Sequence, residues 1–440
     1  MISSCYVHIT LPDKTTPVVA GLFRMENAPT GVIGTFVHAK SYLARSDCVD
    51  IDPVELKLGE KPLRTGRMNG IFGALRDSAP DSWGRKVIDH RLGPQGSEIN
   101  YLLNCPDDRA GALSFGMEKT SPAASNSFNG ILDLPVVMRI ADELANHDAD
   151  PSSPKPEGPE AELVERLTRA GTSMGGARPK ATIQDDGALW MAKFPHRDDK
   201  WNNPLVEHAV MRLAGECGLA VAETKMVAID GKDVVFVKRF DRLRQNNGQW
   251  LRSRMISGLT LLKSDESDRS RWSYVELGDE MKRLSKSGNR KKQLRELFHR
   301  ICFNAMVSNV DDHPRNHAFL NKRSEWTLSP AYDLTPTPMI SMERRDLAMS
   351  FGDWGRWANE TNLLSQCERF DLAKEDASAI IREMSRKIET RWYSLFKECG
   401  VSERNCDMIK SAFLYDGFSI QPPDDEKVAR TGQTSFLRVK

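Results

Sequence analysis

The chain has 440 residues, 40% of them hydrophobic, with 62 basic against 61 acidic side chains and a formal net charge of +1. That length allows two or three domains of a folded globular protein, and the composition excludes disorder as the default state. Near-neutral charge leaves no global field to draw in a nucleic-acid backbone or an anionic membrane, so any DNA contact must be local or brought by a partner. The opening Met1-Ile2-Ser3-Ser4-Cys5 reaches Asp13 and Lys14 without a signal-peptide hydrophobic stretch, and no apolar run of about eighteen residues follows. The expected location is cytoplasmic. The eight cysteines contain no C-x-x-C pair, which points to reduced, mostly buried thiols. Among nine histidines only His313 and His317 are closely spaced, too few ligands for a zinc site.

In chain order, Tyr6 to Leu11 and Val18 to Phe23 alternate as strands of a small antiparallel sheet. Ala79-Pro80-Asp81-Ser82 opens a helix carrying Trp83, Val87 and Ile88, and a second short helix includes Tyr101, Leu102 and Leu103. Asp107 to Leu113 has a single Gly111 among alanines, which suits a turn into a strand better than a phosphate loop. Residues 134 to 147 read as helix. The run from Pro151 to Pro159 then holds four prolines and a glycine, which forbid regular structure and mark the domain boundary. The expected division is an N-terminal subdomain over 1–149, a linker over 150–160 and a second domain over 161–440.

Past the linker, Gly171-Thr172-Ser173-Met174-Gly175-Gly176-Ala177-Arg178-Pro179-Lys180 is a Gly-rich loop feeding two strands, Ala181 to Ile183 and Leu189 to Lys193, joined at Asp185-Asp186-Gly187. Glycines let backbone N–H groups approach phosphate oxygens, and Lys180 and Lys193 could supply compensating charge. An ordinary glycine hairpin would look the same, since the loop matches neither G-x-x-x-x-G-K-[ST] nor G-x-G-x-x-G. Lys193 lies among apolar residues, where a charge calls for a partner or a phosphate. Asn202-Asn203-Pro204 caps a helix with an apolar stripe from Leu205 to Ala214. Glu207 on that helix could meet Lys193 as a kinase helix glutamate does, or sit in solvent. Asp233 to Arg242 gives a buried strand ending in Lys238-Arg239-Phe240-Asp241. Asp241 could reach a ribose or pair with Arg239 or Arg242.

Leu294, Leu297, Phe298, Ile301, Cys302, Ala305 and Met306 form the stripe of a helix buried on one face, and it leads into Val310-Asp311-Asp312-His313-Pro314-Arg315-Asn316. The five-residue step from Asp311 to Asn316 is that between base and metal-binding asparagine in a protein-kinase catalytic loop. His317 to Leu320 and Trp326 to Leu328 then read as a hairpin that returns Tyr332-Asp333 toward Asn316. Asp311 as base, with Asn316 and Asp333 as Mg²⁺ ligands, would make a phosphoryl-transfer site; ordinary turn-capping aspartates are the plain alternative. No H-R-D, D-F-G or A-P-E string occurs, so the chain is not a standard protein kinase. The last twenty residues read as a loose tail.

Taken together, the Gly-rich loop from Ser173 to Lys180, Lys193, Val237 to Asp241, the Asp311-to-Asn316 loop and Tyr332-Asp333-Leu334 resemble, in order, the HipA family of serine/threonine kinase toxins of bacterial toxin–antitoxin modules. The likeness reaches back to Pro80-Asp81-Ser82 and Arg109-Ala110-Gly111-Ala112. It implies an α+β fold, with a protein-kinase-like bilobal C-terminal domain behind a small α/β N-terminal subdomain. It also implies ATP and Mg²⁺ as cofactors, a helix-turn-helix antitoxin that carries the operator contact, and aminoacyl-tRNA synthetases as the target class. By position it makes Asp311 the base, Asn316 and Asp333 the Mg²⁺ ligands and Lys193 the phosphate lysine. Gly175, Gly176, Ala177, Arg178, Pro179 and Lys180, then Lys238, Arg239 and Phe240, then His313, Pro314, Arg315 and Asn316 would surround ATP, with Asp241 and Tyr332 in the matching segments. Ser173 falls on an inhibitory autophosphorylation site. A second carboxylate, Asp312, stands beside the base and bears on metal occupancy. The rival reading is a kinase-like scaffold that regulates transcription with an antitoxin; a small-molecule kinase of the aminoglycoside type would leave the N-terminal matches unexplained.

Overall fold

The computed structural model describes residues 3–29, 31–122, 128–146, 158, 178–285, 287–338 and 341–428. They fall into two compact units: Met1–His208 with Ala222–Glu266 and Arg315–Tyr332, and Ala209–Val221 with Ser267–Pro314 and Asp333–Lys440.

The first unit opens with strands β1 (Ser4–Ile9), β2 (Val18–Ala28), β3 (Gly31–His38), β4 (Leu63–Thr65) and β5 (Leu113–Gly116) in an antiparallel sheet of order β4-β3-β2-β1-β5. Cys5, Phe23 and Phe36 align across the register and are buried, so alternation decides which face points inward. Helices α1 (Lys40–Leu43), α2 (Gly73–Asp77), α3 (Ser82–Leu92), α4 (Glu98–Asn104) and α5 (Leu134–Asn146) accompany it. Asp81 caps α3, accepting the Gly84 N–H at 2.7 Å.

A second sheet has the order β6-β7-β9-β8, with β6 (Lys180–Asp185), β7 (Ala188–Lys193), β8 (Thr224–Ile229) and β9 (Lys232–Lys238). Both its hairpins turn on two residues in the left-handed region, Asp186-Gly187 and Asp230-Gly231, the chemistry a tight hairpin of this twist requires. Ala181, Ile183, Trp190, Ala192, Val234 and Phe236 bury one face against Trp83 and Val87 of α3 and Val137, Ala141 and Leu144 of α5. The core on either side of the Pro-rich stretch is therefore continuous. The linker itself lies outside the described residues except Gly158.

Helix α6 (Asn203–Glu216) follows. The short hairpin of β10 (Arg242–Arg244) and β11 (Trp250–Arg252) precedes β12 (Arg254–Ser257), helix α7 (Gly258–Leu261) and strands β13 (Ala318–Asn321) and β14 (Trp326–Leu328). β13 pairs antiparallel with both β12 and β14, which gives the expected hairpin plus a third strand.

The second unit is helical, with α8 (Tyr274–Leu284), α9 (Ser287–Met306), α10 (Glu360–Ser365), α11 (Lys374–Glu398) and α12 (Glu403–Ile409). The whole expected stripe of α9 is buried, and Phe298 meets Phe370 with ring centroids 5.7 Å apart. Truncating a buried leucine such as Leu297 to alanine there would cost about 2–5 kcal/mol. Among the described residues no helix is long and apolar enough to cross a membrane. All eight cysteines are free thiols, and burial pushes those of Cys5 and Cys217 up to about 12.

Candidate active site

In the first unit, Lys180 and Lys193 stand directly opposite each other in the β6–β7 register. Like charges so placed repel, and each is answered by a carboxylate. Lys180 Nζ donates to Asp81 Oδ2 at 2.7 Å, and Lys193 Nζ donates to Glu207 Oε1 at 2.5 Å. Glu207 is 6% exposed on α6, whose start is fixed by Asn202 accepting the Leu205 N–H at 3.2 Å. Of the two readings of Glu207, burial and distance select the lysine partner over the solvated surface acid. Arg178 pairs with Asp199, and the Pro179 carbonyl accepts the Phe194 N–H. Ser173, Gly175, Gly176 and Ala177 lie outside the described residues.

At the exit of β9, the Arg239 N–H binds the Leu189 carbonyl at 2.8 Å, Lys238 Nζ reaches Glu223 at 2.7 Å, and the rings of Phe240 and Tyr332 lie 5.4 Å apart. Asp241 is fully buried. Its carboxylate accepts from Arg239 Nη2 at 2.9 Å, Arg242 Nη1 at 2.5 Å and the Gly111 N–H at 3.0 Å. Burial alone would raise this carboxyl, but the Arg239 and Arg242 guanidiniums outweigh it and hold it well below the usual carboxylate range. A carboxylate so enclosed has no face for a ribose. Of the two readings of Asp241, the geometry has the ion pair.

The first unit also holds the end of the Asp311-to-Asn316 loop. Asn316 closes a 3-10 turn over Pro314–Asn316 and is 7% exposed. Arg315 Nε donates to Glu266 at 2.7 Å, and its carbonyl accepts the Tyr332 hydroxyl at 2.7 Å, so the β13–β14 hairpin does bring residue 332 back to residue 315.

In the second unit, α9 delivers Asp311. The His313 N–H closes back on the Asp311 carbonyl at 2.7 Å, and the His313 ring packs edge-on to Trp272. Burial raises the Asp311 carboxyl; the nearby Asp333 and Asp312 charges raise it further, against opposing pulls from His313 and Arg269. A carboxylate raised in this way is suited to hold and pass a proton. Asp333 has φ 59°, a left-handed conformation uncommon for a residue with a Cβ and one that local structure must enforce. Asp312 is turned inward at 1% exposure, where its carboxylate accepts from the Tyr274 hydroxyl and from Asn304 Nδ2, the latter at 2.6 Å. Asn304 Oδ1 in turn accepts from Asn309 Nδ2 at 3.0 Å. Where the sequence reading tied Asp312 to metal occupancy, the structure has its carboxylate pin the loop to α8 and α9. Its one sequence signal is the polar Asn304 beside the apolar stripe of α9. Among the described residues no group of three or more His, Cys, Asp or Glu side chains is arranged to hold a metal.

A family model described as the HipA-like C-terminal domain matches residues 172–392. A Haemophilus influenzae protein named "Putative kinase" is 31% identical over 148 residues, covering 30% of this chain and 42% of that protein, so the chain spans less than half the length of this curated relative. HipA of Shewanella oneidensis MR-1, solved with HipB and operator DNA, is similar over 93% of this chain and 94% of its own, with a TM-score of 0.64 and 18% identity. At that identity the likeness is one of fold, and the fold is α+β and kinase-like. The Helicobacter pylori kinase CtkA aligns with 56% of this chain at 17% identity and a TM-score of 0.41, covering 92% of its own length.

Proposed function

The chain belongs to the HipA family, and from that premise we propose that it is an ATP-dependent serine/threonine protein kinase, the toxin of a toxin–antitoxin pair. The observation that carries this reading is the Lys193–Glu207 ion pair at 2.5 Å between a strand and the following helix, the arrangement that presents a kinase lysine to nucleotide phosphates. Lys193 is the phosphate-binding cation and Glu207 holds it in place. Asp311 accepts the proton of the substrate hydroxyl and orients its oxygen for attack. The Asn316 amide oxygen and the Asp333 carboxylate are hard oxygen donors of the kind Mg²⁺ takes and would hold it in this reading, and a cation would offset the carboxylate charge that raises Asp311. When bound, Mg²⁺–ATP supplies the phosphoryl group and neutralises its developing charge.

The Gly-rich loop from Gly175 to Lys180 and the segment from Lys238 to Phe240 line the nucleotide in this reading, with 1–149 as the N-terminal subdomain and 161–440 as the kinase domain. Ser173 is the site of inhibitory autophosphorylation. A helix-turn-helix antitoxin carries the operator contact, and the substrate is a host protein, with an aminoacyl-tRNA synthetase the first to test. The decisive experiment incubates the full chain with labelled ATP, Mg²⁺ and a cell extract. Label on protein serine or threonine that is lost in Asp311→Asn is the expected result; equal labelling by that variant overturns the reading.

A further inference from the structure

Arg315 stands one residue before Asn316, yet its guanidinium does not project as a loose phosphate-binding cation. Nε donates to Glu266 Oε1 at 2.7 Å, Nη2 lies 2.6 Å from the same carboxylate, and Nη1 lies 3.4 Å from Asp77 Oδ1. Glu266 also takes Arg76 Nη2 at 3.2 Å on each oxygen. Two arginines thus face two acids, and their charges balance. Asp77, the last residue of α2, is nearly buried and accepts from the Ser257 N–H at 2.7 Å, the Ser257 hydroxyl at 2.7 Å and the Thr260 hydroxyl at 2.6 Å. Ser257 in turn is the β12 register partner of Ala318 on β13. One aspartate therefore fixes the chain on both sides of Asn316: at residue 315 through the guanidinium, and at residue 318 through Ser257. The Tyr332 hydroxyl on the Arg315 carbonyl adds a third tether.

We propose that Asp77 and Glu266 are positioning residues that act through Arg315 to set Asn316 for its role, so that the N-terminal region supplies part of the support of the metal-binding loop. This rests on the kinase reading of Asn316. The network acts through orientation: outer supports of a metal ligand typically change affinity or activity by about 10–100-fold when removed. Asp77 is the stronger support because it is nearly buried and fully engaged; Glu266 is half-exposed and its attraction is screened.

The test uses the full chain carrying Asp77→Asn, Glu266→Gln, Arg315→Gln or the double variant Asp77→Asn/Arg315→Gln, with phosphate transfer measured over a range of ATP and of Mg²⁺ and, apart from turnover, the Mg²⁺-dependent binding of a non-hydrolysable ATP analogue measured by calorimetry, which should need several-fold more Mg²⁺ in Asp77→Asn and Arg315→Gln. Expected are a fall in kcat of about 10–100-fold for Asp77→Asn and Arg315→Gln, a several-fold rise in the Mg²⁺ needed for half-maximal rate, and a KM for ATP within about twofold of wild type. The double variant should be no worse than the poorer single one, because both changes cut the same tether. A raised KM for ATP with unchanged kcat in Arg315→Gln would make that residue a phosphate contact and overturn the proposal, as would additive losses in the double variant. Should Asp77→Asn fail to fold, Arg315→Gln, altered at a partly exposed side chain, carries the test alone. An active wild type with unaffected variants defeats this inference only, whereas an inactive wild type defeats the kinase reading and this inference with it.

Discussion

The two halves of the Asp311-to-Asn316 loop are held by different physics. Asp312, in the first half, is a fully desolvated carboxylate satisfied by neutral donors, the Tyr274 hydroxyl and the Asn304 amide. Arg315, in the second half, is held by ion pairs, one of them to the half-exposed Glu266. A buried acceptor with two dedicated donors is costly to disturb, because each donor left behind loses both protein and water. A partly exposed ion pair can exchange its partner for solvent at little cost. The half that carries Asp311, the proposed base, is therefore held without solvent-exposed ion pairs, whereas in the half that carries Asn316 the Glu266 pair is open to adjustment and Asp77 holds the rest in place.

The largest expected effect lies on Asp311, the proposed base. Asp311→Asn should lower phosphate transfer by about 10²-fold or more, measured as kcat/KM. It should not lower stability at neutral pH, and the sign follows from its raised carboxyl. A carboxyl raised in the fold binds its proton more tightly folded than unfolded. Its ionisation therefore costs stability above the unfolded value near about 3.9, and the cost is complete once pH passes the raised folded value. Removing the charge relieves that cost at pH 7 and gains nothing below about pH 3, which thermal melts across pH would reveal.

Next comes Asp312→Ala, which removes the buried carboxylate acceptor of the Tyr274 hydroxyl and the Asn304 amide and should destabilise the protein by about 2–4 kcal/mol. Tyr274→Phe removes one donor and leaves Asp312 with the other, for a cost of about 1–2 kcal/mol. Comparable melting temperatures for Asp312→Ala and wild type would erase the contrast between the two halves. Smallest is Glu266→Gln, within about 0.5 kcal/mol of wild type in stability and less still at high salt, although its effect on rate should be measurable. A large stability loss there would show that both halves are held alike.

What the sequence disclosed was local. The Asp186-Gly187 turn, the Asn202 cap, the α9 stripe and the β13–β14 hairpin each rest on residues within a few positions of one another, and each was legible from spacing. The direction of Asp312 was not, since a carboxylate beside a candidate base points toward metal or toward the interior with equal ease until Tyr274 and Asn304 are in place. The Arg315–Asp77 pairing joins residues 238 apart, and the Asp241 bond to Gly111 spans 130, distances over which no periodicity speaks. The strand at Gly31–His38 was also missed, because Gly31 and Gly34 dilute its alternation; Gly34 is required where the Gly70 carbonyl comes too close for a Cβ.

The facing lysines of β6 and β7 bear on how far this protein can be divided. Lys180 depends on Asp81, and Ala181, Ile183 and Trp190 depend on Trp83, Val87 and α5, all from the far side of the Pro-rich stretch. A truncated chain starting at residue 161 would keep the facing lysine Lys193 with its own acid while Lys180 lost its counter-charge, and would bare the apolar face of the sheet that presents them both. The Pro-rich stretch therefore does not mark where the fold can be separated, and the N-terminal region is better regarded as the missing wall of the β6-β7-β9-β8 sheet than as an appended module.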